Sequence, residues 1–199
     1  MAKVSKKEES KKPENIFREI FHMFFYLLFV VVVTMLIIRY VGQRTEVSGG
    51  SMEDTLHDGD NLIVDKLTYR FRDPERFDII VFPYKYKEKT FYIKRIIGLP
   101  GETIQITEEG QILVKGIDEE EFHVLEEDYG KEVMKNPGIA AQPIFLSNHE
   151  YFVLGDNRNA SADSRDPSVG IISGEDIIGR AWLRIWPLDQ IEVLPHQQS

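Results

Sequence analysis

The chain has 199 residues, with 24 Lys and Arg against 33 Asp and Glu, a net charge of −9 and no cysteine. The missing thiols exclude a disulfide scaffold, a cysteine nucleophile, a Cys-ligated zinc site and an iron–sulfur cluster. The acidic balance argues against nucleic-acid binding through phosphate neutralisation, and a hydrophobic content of 42% is too high for a disordered chain.

The charge is unevenly placed. Residues 1–40 carry seven basic and four acidic side chains, a net +3, and residues 41–199 carry 17 basic and 29 acidic, a net −12. Residues 1–20 read as a basic tail, solvated over Met1–Asn15. Phe21–Val41 is then almost unbroken apolar sequence, interrupted by His22, Thr34, Arg39 and Tyr40. As a helix these 21 residues span roughly 31 Å, the thickness of a hydrocarbon core. The run is too long for the apolar part of a cleaved signal peptide, and no A-x-A site follows it. A transmembrane helix is therefore expected at 21–41. The lysines before it predict a cytoplasmic N-terminus and an extracytoplasmic remainder in a single-pass protein of the cell membrane.

After Gly42 the periodicity shortens. Leu62–Val64, Asp78–Phe82, Phe91–Ile97, Thr103–Ile106, Gln111–Val114, Tyr151–Leu154 and Ala181–Ile185 read as strands between Gly, Pro, Asp and Asn turns. Leu99-Pro100-Gly101-Glu102 reads as a type II turn and Glu109-Gly110 as a hairpin turn. Met52–Leu56 and Ser173–Ile178 read as short helical pieces. The fold class is thus mainly β, in an outer domain of residues 42–114 and 150–195. Residues 115–149, with Asp118–Glu121 and Glu126–Asp128, read as a small solvated insertion. The five histidines form no H-x-x-x-H or H-E-x-x-H pair, which disfavours a zinc hydrolase.

Three stretches hold chemistry. In Val47–Leu56, two glycines precede Ser51, allowing close approach by a substrate and leaving backbone N–H groups uncovered. A plain turn explains the same residues. In Phe91–Ile97, strand alternation sets Tyr92, Lys94 and Ile96 on one face and Phe91, Ile93, Arg95 and Ile97 on the other. Both faces are otherwise apolar. Either the cations snorkel from an edge strand, or Lys94 is buried, loses pKa and can act as a base. Arg95 cannot, since a guanidinium stays charged. In Gly155–Asp166, two arginines alternate with Asp, Asn and Ser, a density that suits a buried polar network.

Together, G-G-S-M-x-x-T-L, Y-I-K-R-I-I-G-L-P-G-E and G-D-N-R-x-x-S-x-D-S-R, in this order after a membrane helix, resemble bacterial type I signal peptidase. The single span and short insertion are similar to the smaller, Gram-positive-type members. The resemblance implies an antiparallel β catalytic domain and a membrane-bound serine endopeptidase that cuts signal peptides from exported preproteins. No cofactor and no metal are expected. It also implies site roles. Ser51 matches the nucleophile and Lys94 the general base. Ser161 matches the serine that orients the lysine, and Asp163 and Arg165 the ion pair that braces the site. Arg95, Asp156, Asn157 and Arg158 match structural supports. Val47, Met52, Leu56, Tyr92 and Ile93 match the lining of pockets for small substrate side chains, although alternation points Ile93 away from Lys94. The implied partners are secretory preproteins with small residues before the cut, and the lipid bilayer.

Some residues depart from the pattern. Asp54 stands where proline is usual, Asn159-Ala160 where Asp-Asn is commoner, and Gly49 where some members place a serine that donates to the oxyanion. Two rival readings stay open. One is a self-cleaving Ser–Lys repressor-type protease, whose DNA-binding domain is here replaced by an apolar span. The other is an anchored β domain that binds exported proteins or cell-wall partners.

Overall fold

The computed structural model describes residues 13–194. The basic tail expected over 1–20 lies mostly outside them. Chain contacts divide the protein into two units, Met1–Tyr40 and Val41–Ser199. The first holds helix α1, Pro13–Tyr40. It begins eight residues before the apolar run, because Pro13 suits a first helical position and Glu14–Glu19 contains no helix breaker. Over Ile16–Tyr40 it is long and apolar enough to cross a membrane, and none of its residues there is buried.

The second unit is antiparallel β. Its strands are β1 Gly42–Glu46, β2 Asn61–Asp65, β3 Ile79–Pro83, β4 Phe91–Gly98, β5 Thr103–Ile106, β6 Ile112–Lys115, β7 His123–Val124, β8 Ile144–Phe145, β9 Glu150–Leu154, β10 Ile172–Ser173, β11 Gly179–Trp186 and β12 Glu192–Val193. The larger sheet runs β1-β2-β11-β3-β4-β9-β10, with β12 on β11, and the smaller runs β7-β6-β5-β8. All seven strands expected from sequence are present, within two residues at each end. The short edge strands β7, β8, β10 and β12 were not anticipated, nor was β1, whose Gly-Gln-Arg-Thr-Glu carries no apolar alternation.

Period-two packing explains the central strands. On β3, Ile79 and Val81 enter one apolar cluster with Val47, Met52, Leu56, Leu62 and Ile93. Ile80 and Phe82 enter another, with Ile96, Tyr151 and Val153. Strand β3 is therefore covered on both faces, which its unbroken apolar sequence requires. Gly101 sits at φ +84° and the Glu102 N–H donates to the Leu99 carbonyl at 3.1 Å, the expected type II turn. Gly110, at φ +82°, closes the β5–β6 hairpin.

Of the two short helical pieces expected, one is present: Ser173–Ile178 contains the 3-10 helix Gly174–Asp176, capped by the Ser173 hydroxyl, whereas Met52–Leu56 is a series of turns without a regular helix. Its five residues give too few backbone hydrogen bonds to repay helix nucleation. The segment 115–149 is also less solvated than its acidity suggests. It supplies β7 and β8 to the smaller sheet, and Met134, Ala140 and Leu146 to a core shared with Phe152 and Leu154.

Candidate active site

Ser51 lies on a tight turn after β1. The Glu53 N–H donates to the Gly50 carbonyl at 3.1 Å and the Leu56 N–H to the Met52 carbonyl at 2.8 Å. Asp54 occupies the left-handed region at φ +79°. A proline, fixed near −65°, could not take that conformation. Apolar anchors hold the turn from below. Met52 and Leu56 are fully buried against Leu62 and Ile79.

Lys94 comes from the middle of β4, paired to Ile80 of β3. It is only 3% exposed. Its Nζ donates to Ser51 Oγ at 2.7 Å and to the Ile93 carbonyl at 2.9 Å. It also lies 5.1 Å from the centre of the Tyr92 ring. Burial lowers the Lys94 pKa to about 8, against the opposing pull of Asp163 and Asp156.

Behind this pair is the charged network expected from Gly155–Asp166. Arg95 is fully buried and grips Asp156 with two bonds, Nε to Oδ1 at 2.9 Å and Nη2 to Oδ2 at 2.7 Å. Arg165 grips Asp163 likewise, with both bonds at 2.8 Å. Asp163 also accepts from the Gly155 N–H at 3.0 Å. Asn157 fixes the Ser51 turn, its side-chain amide donating to the Gly50 carbonyl at 3.0 Å and its N–H to the Ser51 carbonyl at 3.2 Å. Arg158 donates Nε to the Gly155 carbonyl at 3.1 Å and pairs with Glu127. Gly155 has no room for a side chain: a Cβ there would lie 2.2 Å from Ser161 Oγ and 2.4 Å from the Ser51 carbonyl oxygen.

Two expected positions are placed otherwise. Ser161 Oγ is buried and makes no hydrogen bond, so the expected bond to Lys94 is not formed. Lys94 spends its donors on Ser51 and Ile93 instead. Leu56 is entirely enclosed in the core and does not line the cleft, because the Met52–Leu56 turn folds it inward. Val47, Met52, Tyr92 and Ile93 do line a cleft of about 540 Å³, together with Ser51 and Lys94. The alternation argument against Ile93 does not hold, since Ile93 packs with Val47 beneath the cleft while Lys94 reaches back over its carbonyl.

Other residues were missed from sequence. Thr55 donates its hydroxyl to Asp156 at 2.5 Å and accepts at its carbonyl from Arg184 at 3.2 Å, tying the Ser51 turn to the charged loop and to β11. From the 115–149 segment, Tyr129 places its ring 3.4 Å from the Arg95 guanidinium carbon. Asn136 accepts from Arg165 at its carbonyl at 3.1 Å. These partners lie 29 to 129 residues apart in sequence, and no local motif marks them.

The cleft also offers backbone. Its walls include Thr45–Ser48 and Lys89–Ile93. Residues 91–93 of β4 pair with β3 on one side only, since β9 joins from Arg95 onward. An extended peptide can add to such an edge. The N–H groups of Gly50 and Ser51 have no partner among the described residues, whereas the Gly49 N–H is taken by Asp58 at 2.8 Å. No group of three or more His, Cys, Asp or Glu able to hold a metal occurs among the described residues.

Known proteins match this arrangement. The family model for signal peptidase, peptidase S26, matches residues 19–186. A probable signal peptidase I-2 of Synechocystis sp. is 36% identical over 195 residues, covering 96% of this chain and 82% of that protein. Signal peptidase I P of Bacillus subtilis subsp. natto is 35% identical over 192 residues, covering 92% of this chain and 96% of its own length. A crystal structure of a signal peptidase I from Enterococcus faecalis V583 is 32% identical, with a TM-score of 0.43, over 55% of this chain and 97% of that one. With the family model spanning most of the helix, the Ser51 turn, the Lys94 strand and the charged loop, the chain belongs to the signal peptidases of the S26 family.

Proposed function

We propose that this signal peptidase cuts its preproteins with a Ser51–Lys94 dyad while held in the cell membrane by α1. The observation that carries the reading is the 2.7 Å contact between Lys94 Nζ and Ser51 Oγ in a site that holds the lysine near pKa 8. About one lysine in ten is then neutral at pH 7, enough to act as a base. Neutral Lys94 takes the Ser51 proton as Oγ attacks the scissile carbonyl. The developing oxyanion meets the free N–H groups of Ser51 and Gly50. Lys94 then returns the proton to the leaving amine, and a water activated by the same lysine releases the acyl group. Asp163, Arg165, Arg95, Asp156, Asn157 and Arg158 hold these atoms in place. Val47, Met52, Tyr92 and Ile93 wall the cleft, where the small side chains before the cut would pack. The basic segment before α1 keeps the N-terminus cytoplasmic and puts the catalytic unit outside.

The test is cleavage of a purified preprotein by the detergent-solubilised enzyme. Ser51→Ala and Lys94→Ala should each abolish processing with the fold retained by circular dichroism. The acid limb of kcat/KM for the wild type should fall near pH 8. Near-normal cleavage by either variant would remove the dyad.

A further inference from the structure

The walls of the cleft away from Ser51 carry charges that nothing neutralises. Glu46 and Lys89 both line the cleft. Both are exposed, and neither side chain makes an ion pair or hydrogen bond among the described residues. Lys89 belongs to the β3–β4 turn within Pro83–Thr90, which also carries Lys85, Lys87 and Glu88. Lys85 and Lys87 are likewise exposed and unpaired among the described residues. Three lysines against Glu88 and Glu46 leave this part of the cleft net positive, inside a unit that is otherwise acidic.

The turn holds Lys89 in place. The Tyr84 N–H donates to the Thr90 carbonyl at 2.8 Å, and the Thr90 N–H to the Lys87 carbonyl at 3.3 Å. Tyr84 also stacks on Tyr92 of β4 at 4.7 Å and 13°, which ties the turn to the cleft wall. Lys89 itself sits at φ +58°, in the left-handed region, where a lysine is strained and glycine or asparagine is at ease. Folding of the turn gives no reason for a lysine there. Strain of this kind gathers at segments that clamp a ligand.

Strand β4 says which part of a substrate Lys89 would meet. Residues 91–93 leave one edge open, and the Lys94 side chain that follows them ends on Ser51. On the reading above, the side chains just before the cut pack at Ile93 and Tyr92. The chain further upstream then runs past Phe91 and Thr90 to Lys89. Four residues of extended chain cover roughly 13 Å, which sets Lys89 beside the residue about five before the cut.

We infer that Lys89 reads the charge of the preprotein residue about five positions before the cut, favouring an acidic side chain there and disfavouring a basic one. The inference rests on the preprotein reading above and adds a specificity position to it. Opposite charges on neighbouring strands attract and like charges repel, which sets the sign.

The test uses the full chain in an uncharged detergent and one preprotein carrying Glu, Gln or Lys at that fifth position. The order of kcat/KM should be Glu, then Gln, then Lys, with about fivefold between the ends and less at high salt. Lys89→Asn puts a neutral residue that tolerates the left-handed region at the same place, and should bring the three substrates together. Lys89→Glu should reverse the order. Circular dichroism checks that both variants fold. Equal rates for all three substrates in the wild type overturn the inference. So does an order that survives Lys89→Asn and is lost in Glu46→Gln, which would give the reading to the other wall. A wild type that cuts none of the three would instead remove the preprotein reading on which the inference rests.

Discussion

Two buried ionic clusters in the β unit use the same residue types to different ends. At Asp78, one carboxylate is shared by the Tyr69 hydroxyl at 2.8 Å, Arg72 at 3.0 Å, the Glu75 N–H at 3.1 Å and Arg180 at 3.6 Å. Burial and the neighbouring carboxylate push Tyr69 up, so it remains a donor, and every charge there has a partner. Behind Ser51, two carboxylates meet two arginines one to one, each in a two-bond grip. Lys94 is the surplus cation. Asp156 and Asp163 sit close enough to raise its pKa, yet their charge is already balanced, so desolvation prevails. If the arginines' pairing is what keeps these carboxylates from holding the proton on Lys94, freeing one carboxylate should expose it.

The strongest way to break this contrast is to free one carboxylate. Arg165→Gln leaves Asp163 buried and uncompensated, which costs about 3–5 kcal/mol. In the enzyme that still folds, the bare carboxylate would hold the proton on Lys94. The acid limb of kcat/KM then moves above the wild-type position near pH 8. Denaturant unfolding and a pH–rate profile read the two effects. Asp163→Asn combined with Arg165→Gln removes charge and counter-charge together, and should recover much of the stability while leaving the acid limb near pH 8. If the single variant lost activity with no shift in its profile, the arginine would be a brace and nothing more.

The next effect is on stability. Lys94 loses its proton near pH 8 in the folded protein and near 10.5 when unfolded. Between those values the unfolded chain binds the extra proton, so stability rises with pH across the window. Below pH 8 the whole cost remains, about 3 kcal/mol. Lys94→Met fills similar space without charge. It should be more stable than the wild type at pH 7 by up to that amount, and the gap should close as pH approaches 10.5. Urea unfolding of both proteins over that range measures it. A variant less stable than the wild type at pH 7 would show that the bonds to Ser51 and Ile93 outweigh burial.

Legibility from sequence follows the range of the interactions. The helix and seven strands could be read because composition and period are local, and β1 could not because Gly42–Glu46 is made a strand by pairing with β2. Ser51 and Lys94 stood out because glycine next to serine, and a cation between apolar faces, are local anomalies. Glu127, Tyr129 and Asn136 could not. Their segment looked like a charged surface loop, and only the fold shows Glu127 on Arg158 and Tyr129 on Arg95. Leu56 and Ser161 went astray for a related reason. A sequence position fixes which residue is near the site, not which way its side chain turns.

Smaller effects test the turn and the network's edge. Asp54 holds φ +79°, where glycine is at ease, so Asp54→Gly should change stability by no more than about 1 kcal/mol. It should also keep activity, as measured by thermal unfolding and preprotein cleavage. A large loss would mean that the Asp54 side chain supports the nucleophile turn.

The smallest expected effect is at Ser161. Its hydroxyl is buried without a partner, so Ser161→Ala removes an unsatisfied group and should cost no stability. Lys94 already donates to Ser51 and Ile93, so its ionisation in the free enzyme does not depend on Ser161. The kcat/KM profile reports the free enzyme, and its acid limb should stay near pH 8 in the variant. The kcat profile reports the enzyme with substrate bound. A shift there alone would place a Ser161–Lys94 bond after substrate enters, when Ser51 has turned toward the carbonyl and left the lysine a free donor. A shift in kcat/KM would instead show that the bond exists before substrate arrives, and that the surplus cation has a third partner at rest.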